Sequence, residues 1–173
     1  MSTTPIVPAE KRLTRYFRSA DPVAFSQWSI ALRYTIRSDA ARLFEALTCP
    51  EYLETWITIP GDDDSSYLVA WQQNGGFQFD HYHQGKRDRI IHGSWRICRR
   101  RKLLFTWRMK GENDDPESLV YIGLQGNFAN TVLELHHRGI TGASSRAWHE
   151  EMWTRSLDRL TRLFLGVNSR SRT

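Results

Sequence analysis

Cysteine is scarce in this chain, and no stretch is long and apolar enough to span a bilayer. Its two cysteines, Cys49 and Cys98, lie far apart without a CxxC or Cys/His zinc spacing. Neither a disulfide framework nor a structural zinc site is therefore indicated. The N-terminus lacks the basic region followed by an apolar run that marks a secretory leader. We expect a cytoplasmic protein with free thiols and no membrane span.

Sequence motifs of catalysis and metal binding are also missing. There is no nucleophile elbow, no phosphate loop and no Ser/His/Asp order with a credible spacing. The acidic run 62–64 lacks the ordered oxygens, glycine and glutamate of a calcium loop. His81 and His83 stand two apart on a predicted strand, but the spacing brings no third ligand to them. The sequence therefore predicts neither a metal nor a cofactor.

Positive charge is spread rather than concentrated. The formal net charge is +5, and the only dense basic run is Arg99–Lys102. That run falls where a hairpin turn is needed between two predicted strands, so a solvated turn accounts for it. Net charge alone is weak support for nucleic-acid binding, and we predict no nucleic-acid partner.

Large aromatic residues are abundant. The chain has 173 residues, which suits one domain, and contains seven Trp, eight Phe and six Tyr. Rings in this number suit either a bulky core or the lining of an apolar cavity. Composition alone does not distinguish a filled core from a lined cavity.

The clearest periodic pattern predicts a long helix over residues 147–165. One apolar stripe repeats at steps of four, four, three and four residues, through His149, Trp153, Leu157, Leu160 and Phe164. Gly166 follows the stripe and is expected to end the helix. Such a helix needs a broad surface on which to pack.

The remaining elements supply that surface. Alternating residues predict a strand over 28–36, and two short helices follow, one capped by Ser38 and one with Pro50 at its first position. About six strands joined by turns then occupy residues 67–137. We predict an α+β domain over residues 26–166, with a curved antiparallel sheet of about seven strands around the C-terminal helix. Residues 1–25 are expected to be an extension, and 167–173 a disordered tail.

Short motifs in a fixed order resemble the SRPBCC (START-like) superfamily, in the branch of the activator of heat-shock protein 90 ATPase homologues. The motifs are Ser38-x-x-Ala41-Arg42-Leu43-Phe44-Glu45-Ala46-Leu47-Thr48-x-Pro50-Glu51-Tyr52-Leu53-x-x-Trp56, Gly75-Gly76-Phe77, Gly93, Leu104-Phe105-Thr106-Trp107, Leu133-x-Leu135-x-His137-x-Gly139 and His149-x-x-x-Trp153-x-x-x-Leu157-x-x-Leu160. The resemblance implies the helix-grip fold, with a cavity between sheet and helix. Its members bind lipids, sterols or polyketides, some are cyclases and some contact a chaperone. Met152 departs from the pattern, which usually has glycine there, and its bulk would narrow the cavity.

Candidate site residues follow from the strand faces and from this resemblance. The candidates for ligand binding are Trp56, Phe77, Phe79, His81, Trp95, Trp107, Tyr121, His137, His149, Met152 and Trp153. His137 and His149 are also the acid–base candidates, because the resemblance sets one at each side of a cavity mouth. The alternative for both is a structural hydrogen bond that ties the last strand to the helix.

Three functions remain open at the level of sequence. The first is non-catalytic binding of a small apolar molecule between sheet and helix. The second is an enzyme of the polyketide-cyclase or aromatase kind that uses His137 or His149. The third is an interaction module for a heat-shock protein 90 type chaperone. A homodimer is a further partner that the sequence leaves open.

Overall fold

The computed structural model describes residues 28–60, 65–72, 75–110 and 116–170. The predicted extension over 1–25 lies outside these residues, as does the end of the predicted tail, 171–173. Within the described ranges, no helix combines the length and the apolar character needed to cross a membrane.

One antiparallel sheet forms the body of the protein. Its strands are β1 (Trp28–Ile36), β2 (Ser65–Trp71), β3 (Gly76–His83), β4 (Lys86–Arg99), β5 (Lys102–Lys110), β6 (Ser118–Gly126) and β7 (Thr131–Ile140). The order in the sheet is β1-β7-β6-β5-β4-β3-β2. Because the first strand pairs with the last, β1 and β2 form the two edges. The predicted sheet of about seven strands is confirmed.

Alternation along β7 shows how the sequence sets the inner face of the sheet. Leu133, Leu135 and His137 are fully buried, while Glu134 and His136 between them are only half-buried. Successive side chains of a strand point to opposite faces. The buried row therefore faces the long helix.

Gly93 in β4 lies where a side chain would collide with the neighbouring strand. A Cβ built at Gly93 would lie 1.8 Å from the carbonyl oxygen of Thr106 and 2.6 Å from the tip of the Phe77 ring. Any larger residue would push β5 or the Phe77 ring away. Glycine is thus required where the sheet folds tightly over its aromatic core.

Two hairpin turns connect β4 to its neighbours β3 and β5. Gln84 and Gly85 both have positive φ, 50° and 76°, as a two-residue turn of the I′ kind requires. This turn lies earlier than the predicted turn over 85–88, because Lys86 already belongs to β4. Arg100 and Arg101 form the next turn and are exposed, which confirms that the basic run is a solvated turn.

Two short helices follow β1: α1 (Ala40–Ala46) and α2 (Pro50–Trp56). Asp39, not the predicted Ser38, caps α1, because its carboxylate accepts from the N–H groups of Ala41 and Arg42 at 2.9 Å. Pro50 is at the start of α2 as predicted. At the other end of α2, Trp56 Nε1–H donates to the carbonyl oxygen of Ala46 at 2.8 Å and ties the two helices together.

The C-terminal helix, α3, is longer than its apolar stripe indicates. It runs over Ala143–Arg170, so it begins four residues before the predicted start at 147 and passes through Gly166 without ending. The predicted domain end at 166 therefore falls inside a helix. Leu157 and Leu160 of α3 are fully buried, which confirms the long helix as the element that covers the sheet.

Candidate functional site

Aromatic rings almost fill the space between the sheet and α3. Phe77 lies 5.5 Å from Phe105 between ring centroids, and Trp107 lies 5.0 Å from Trp153. Interlocked tilted rings of this kind pack efficiently. The remaining space, called here the core cavity, is about 20 Å³ and is lined by Leu47, Leu53, Trp56, Ile57, Trp71, Phe77, Phe79, Trp95, Phe105, Trp107, Ile122 and Trp153.

The core cavity is too small for an organic ligand. A free volume near 20 Å³ holds about one water molecule, whereas pockets for drug-sized ligands measure about 300–1,000 Å³. Trp107 Nε1 is buried and has no hydrogen-bond partner among the described residues.

Six of the predicted ligand-binding residues do line the core cavity. They are Trp56, Phe77, Phe79, Trp95, Trp107 and Trp153. Phe105 lines the cavity beside Trp107, because residues two apart on a strand share a face.

Tyr121 and Met152 do not line the core cavity. Tyr121 faces the opposite side of the sheet, where its ring lies 6.3 Å from that of His136. Its neighbours Val120 and Ile122 take the inner face instead. Met152 is 1 % exposed and belongs to the core cluster. The cavity is therefore narrowed by the rings rather than by the bulk of Met152.

Of the two histidines that stand two apart on β3, only His81 is buried, and His83 is exposed. His83 is the last residue of β3 and lies next to the turn at Gln84 and Gly85. His81 Nδ1 is hydrogen-bonded to the carboxylate of Asp88, and its ring lies 5.2 Å from that of Tyr67.

His137 is held in one tautomer by three elements. Trp153 Nε1–H of α3 donates to His137 Nδ1 at 3.1 Å, so the proton of the neutral ring is on Nε2. That Nε2–H donates to Ser118 Oγ of β6 at 2.7 Å. The Ser118 hydroxyl in turn donates to the carbonyl oxygen of Trp107 in β5 at 2.9 Å. His137 thus links the sheet to the helix with both of its nitrogens.

Burial also keeps His137 neutral. The side chain is completely buried, and desolvation lowers its pKa well below the ordinary value of 6.5, with a further contribution from His149. A neutral imidazole with both nitrogens occupied has no site for a substrate proton. His137 lines neither the core cavity nor the groove formed by the helices.

His149 begins the buried stripe of α3. Its Nδ1–H donates to the carbonyl oxygen of Ser145, one turn earlier, at 2.8 Å. Its ring stands edge-on to that of His137, with 4.9 Å between centroids. Since the side chain is 2 % exposed, it is a buried neighbour of His137 rather than a residue at an open mouth.

A larger space lies on the outside of the helices. This helical groove, as we call it, has a volume of about 250 Å³. Its lining comes from α1, α2 and the C-terminal half of α3: Arg42, Glu45, Ala46, Tyr52, Thr55, Trp56, Leu160, Leu163 and Phe164. Trp56 lines both spaces, so its ring is the wall between groove and core cavity.

The sequence predictions missed the helical groove, apart from Trp56. Tyr52 and Leu163 are 49 % and 42 % exposed, and apolar periodicity detects buried faces rather than exposed ones. The sequence did contain one indication of the groove. Leu163 and Leu165 are apolar residues that lie off the buried stripe of α3, and large apolar side chains on a solvated face call for an explanation.

No metal site accompanies either space. Among the residues that the structure describes, no three His, Cys, Asp or Glu side chains are placed to hold a metal ion.

Comparison with known proteins identifies relatives of this chain. The family model described as Activator of Hsp90 ATPase homolog 1-like protein matches residues 37–164. A search of curated proteins finds no significant match.

Solved structures share the fold at low sequence identity. Protein CV1439 from Chromobacterium violaceum is 17 % identical, covering 79 % of this chain and 96 % of its own, with a TM-score of 0.65. CalU16 from Micromonospora echinospora is 23 % identical, covering 82 % and 79 %, with a TM-score of 0.57. Protein NE0264 from Nitrosomonas europaea is 18 % identical, covering 83 % and 98 %, with a TM-score of 0.61.

Proposed function

Since the chain belongs to the family of Activator of Hsp90 ATPase homolog 1-like proteins, whose fold suits ligand binding, we propose that it binds a small apolar molecule in the helical groove, without catalysis. The observation that carries the proposal is the contrast between the two spaces. The groove offers about 250 Å³ and the core cavity about 20 Å³. A volume near 250 Å³ falls just below the range for drug-sized ligands, so the ligand is small.

The lining of the groove supports an apolar ligand with one polar end. Tyr52, Leu163 and Phe164 supply exposed or half-buried apolar surface, and covering it with a ligand removes that surface from water. Arg42 and Glu45 bring charged groups to the same groove. A ligand whose polar end reaches Arg42 gains a charge-assisted hydrogen bond at that point.

Both histidines have structural roles in this proposal. The hydrogen bonds of His137 connect β5, β6, β7 and α3, and His149 packs edge-on against it. Neither lines the helical groove, so neither takes part in binding there. Contact with a chaperone, a homodimer and a cytoplasmic location stay predictions.

A matched pair of leucine variants tests the proposed site. Leu163 in the groove and Leu68 on β2 are both exposed leucines, at 42 % and 55 %. Binding of anilinonaphthalene sulfonate, an apolar fluorescent probe with an anionic end, would be measured for Leu163→Gln and Leu68→Gln. We expect Leu163→Gln to weaken probe binding roughly three- to tenfold, because part of a leucine contact is lost. Leu68→Gln should bind as the unsubstituted protein does.

Equal affinity in both variants would contradict the helical groove as the binding site. Failure of the folded, unsubstituted protein to bind any apolar probe, with no small molecule seen by native mass spectrometry, would contradict ligand binding itself. Circular dichroism of each variant separates loss of binding from loss of fold.

A further inference from the structure

Phe128 is the most exposed large apolar side chain among the described residues, at 98 %. It lies at the tip of the hairpin between β6 and β7. Asn127 fixes this tip, because its side-chain oxygen accepts from the N–H groups of Ala129 and Asn130 at 3.0 Å. The tip is thus a defined turn that holds Phe128 away from the protein, and residues 125–130 carry no charge.

Basic residues occupy the same end of the sheet as this hairpin tip. The turn between β4 and β5 is attached to β6, since Leu124 N–H donates to the carbonyl oxygen of Arg101 at 3.0 Å. On the other side of the tip, the end of β1 pairs with the start of β7. The exposed basic residues at this edge are Arg37, Arg99, Arg100, Arg101 and Lys102. Together with Phe128 they are called here the basic edge.

The three arginines at and next to the turn between β4 and β5 are not neutralised by ion pairs. Within the described residues, the side chains of Arg99, Arg100 and Arg101 form none. Asp39 is the nearby acid in sequence, and its carboxylate caps α1. Arg99, Arg100 and Arg101 therefore present their charge to solvent.

Strand register shows that Phe128 projects further out from the end of the sheet than the turn between β4 and β5 does. Lys102 pairs with Gly123, and β6 continues three residues further, to Gly126, before the tip. Three residues of strand span about 10 Å. An apolar side chain that enters the interface of a bilayer is buried about 5–10 Å deep. Phe128 at that depth would leave the arginines at the level of the lipid head groups.

We propose that the basic edge docks on the surface of an anionic lipid bilayer, with Phe128 inserted into the interface and the basic residues against the head groups. Each Lys or Arg near an anionic leaflet strengthens binding, and this attraction weakens within a Debye length. One inserted aromatic ring adds an apolar contribution that salt does not screen. The two features together suit a reversible membrane contact better than either does alone.

Other partners fit the basic edge less well. Single-stranded nucleic acid is held by several aromatic stacking platforms along a basic groove, and Phe128 is the only exposed ring at this tip. A stable protein interface needs a continuous buried apolar patch, whereas Phe128 is the only large apolar residue of its turn, between Asn127 and Ala129.

Vesicle co-sedimentation with matched variants tests the proposal. The vesicles contain phosphatidylcholine alone or with about 30 mol % phosphatidylserine. We expect binding to the anionic vesicles only, and a loss of binding as salt rises from about 0.05 M to about 0.5 M. Replacing Arg99, Arg100 and Arg101 by Gln should weaken binding at least about tenfold. The control replaces Arg155, Arg159 and Arg162, exposed on α3, by Gln, which changes the net charge equally and should leave most binding intact.

A second pair isolates the apolar contact. Phe128→Ala should weaken binding to the anionic vesicles about tenfold or more at low salt, and Leu68→Ala, at another exposed apolar site, should change nothing. All these sites are on the surface, and circular dichroism checks each fold. No binding to anionic vesicles at low salt would overturn the proposal. So would equal losses in the two triple-arginine variants, or binding to a single-stranded oligonucleotide, but not to vesicles, that Phe128→Ala abolishes.

Discussion

His137 shows at the residue scale how a candidate catalytic group becomes a structural one. Its position on the inner face of β7 follows from the alternation Leu133, Leu135, His137, and the sequence predicts that much. The sequence does not show that Trp153 and Ser118 occupy both ring nitrogens. Those contacts join residues far apart in the chain, so no local pattern contains them.

The buried His137 predicts a specific dependence of stability on pH. Its pKa is lowered in the folded state, so the unfolded chain takes up the proton first, below its pKa of about 6.5. Above that pH, His137 does not change the free energy of unfolding. Below it, His137 lowers the free energy of unfolding by up to about 1.4 kcal/mol per pH unit. His136, whose pKa burial also lowers, adds an effect of the same sign.

Urea unfolding at pH about 7 and about 5 checks the contribution of His137. In His137→Gln the loss of stability on acidification should be smaller, because one titrating group has gone, although the variant is less stable at both pH values. His83→Gln, at an exposed histidine, should keep the full loss. Identical losses in the two variants would show that His137 does not control the acid sensitivity.

At the scale of elements, α3 shows which features a periodic pattern can predict. The apolar stripe located the helix and its buried face, since burial and periodicity have the same cause. It did not locate the ends. The helix begins at Ala143 and passes Gly166 to reach Arg170, because one glycine lowers helix stability by only about 1 kcal/mol and does not end a helix.

Two glycines on different elements should respond to alanine in opposite ways. At Gly93 the new Cβ would meet the Thr106 carbonyl oxygen at 1.8 Å, whereas at Gly166 it meets nothing within 4 Å. We expect Gly93→Ala to destabilise the protein by about 1–3 kcal/mol or more. Gly166→Ala should stabilise it by up to about 1 kcal/mol, measured by urea unfolding. A neutral Gly93→Ala would contradict the close approach of β4 and β5.

For the whole molecule, composition predicted that aromatic residues would be prominent, but it did not predict where a binding site would lie. Many aromatic rings suited a filled core and a lined cavity equally. The rings of Phe77, Phe105 and Trp107 interlock to leave about 20 Å³. This volume results from side-chain packing across five strands and two helices, which strand faces alone do not determine. The helical groove joins three elements and includes exposed residues such as Tyr52 and Leu163, so it has no single periodic signature.

The central claim is that a small apolar molecule binds in the helical groove rather than between sheet and helix. Methyl NMR during titration with anilinonaphthalene sulfonate compares the two spaces in one experiment, because Leu160 and Leu163 line only the groove, and Leu53 and Ile122 line only the core cavity. We predict saturable shifts at Leu160 and Leu163, with Leu53 and Ile122 unmoved. Shifts at Leu53 and Ile122 without shifts at Leu163 would contradict the account.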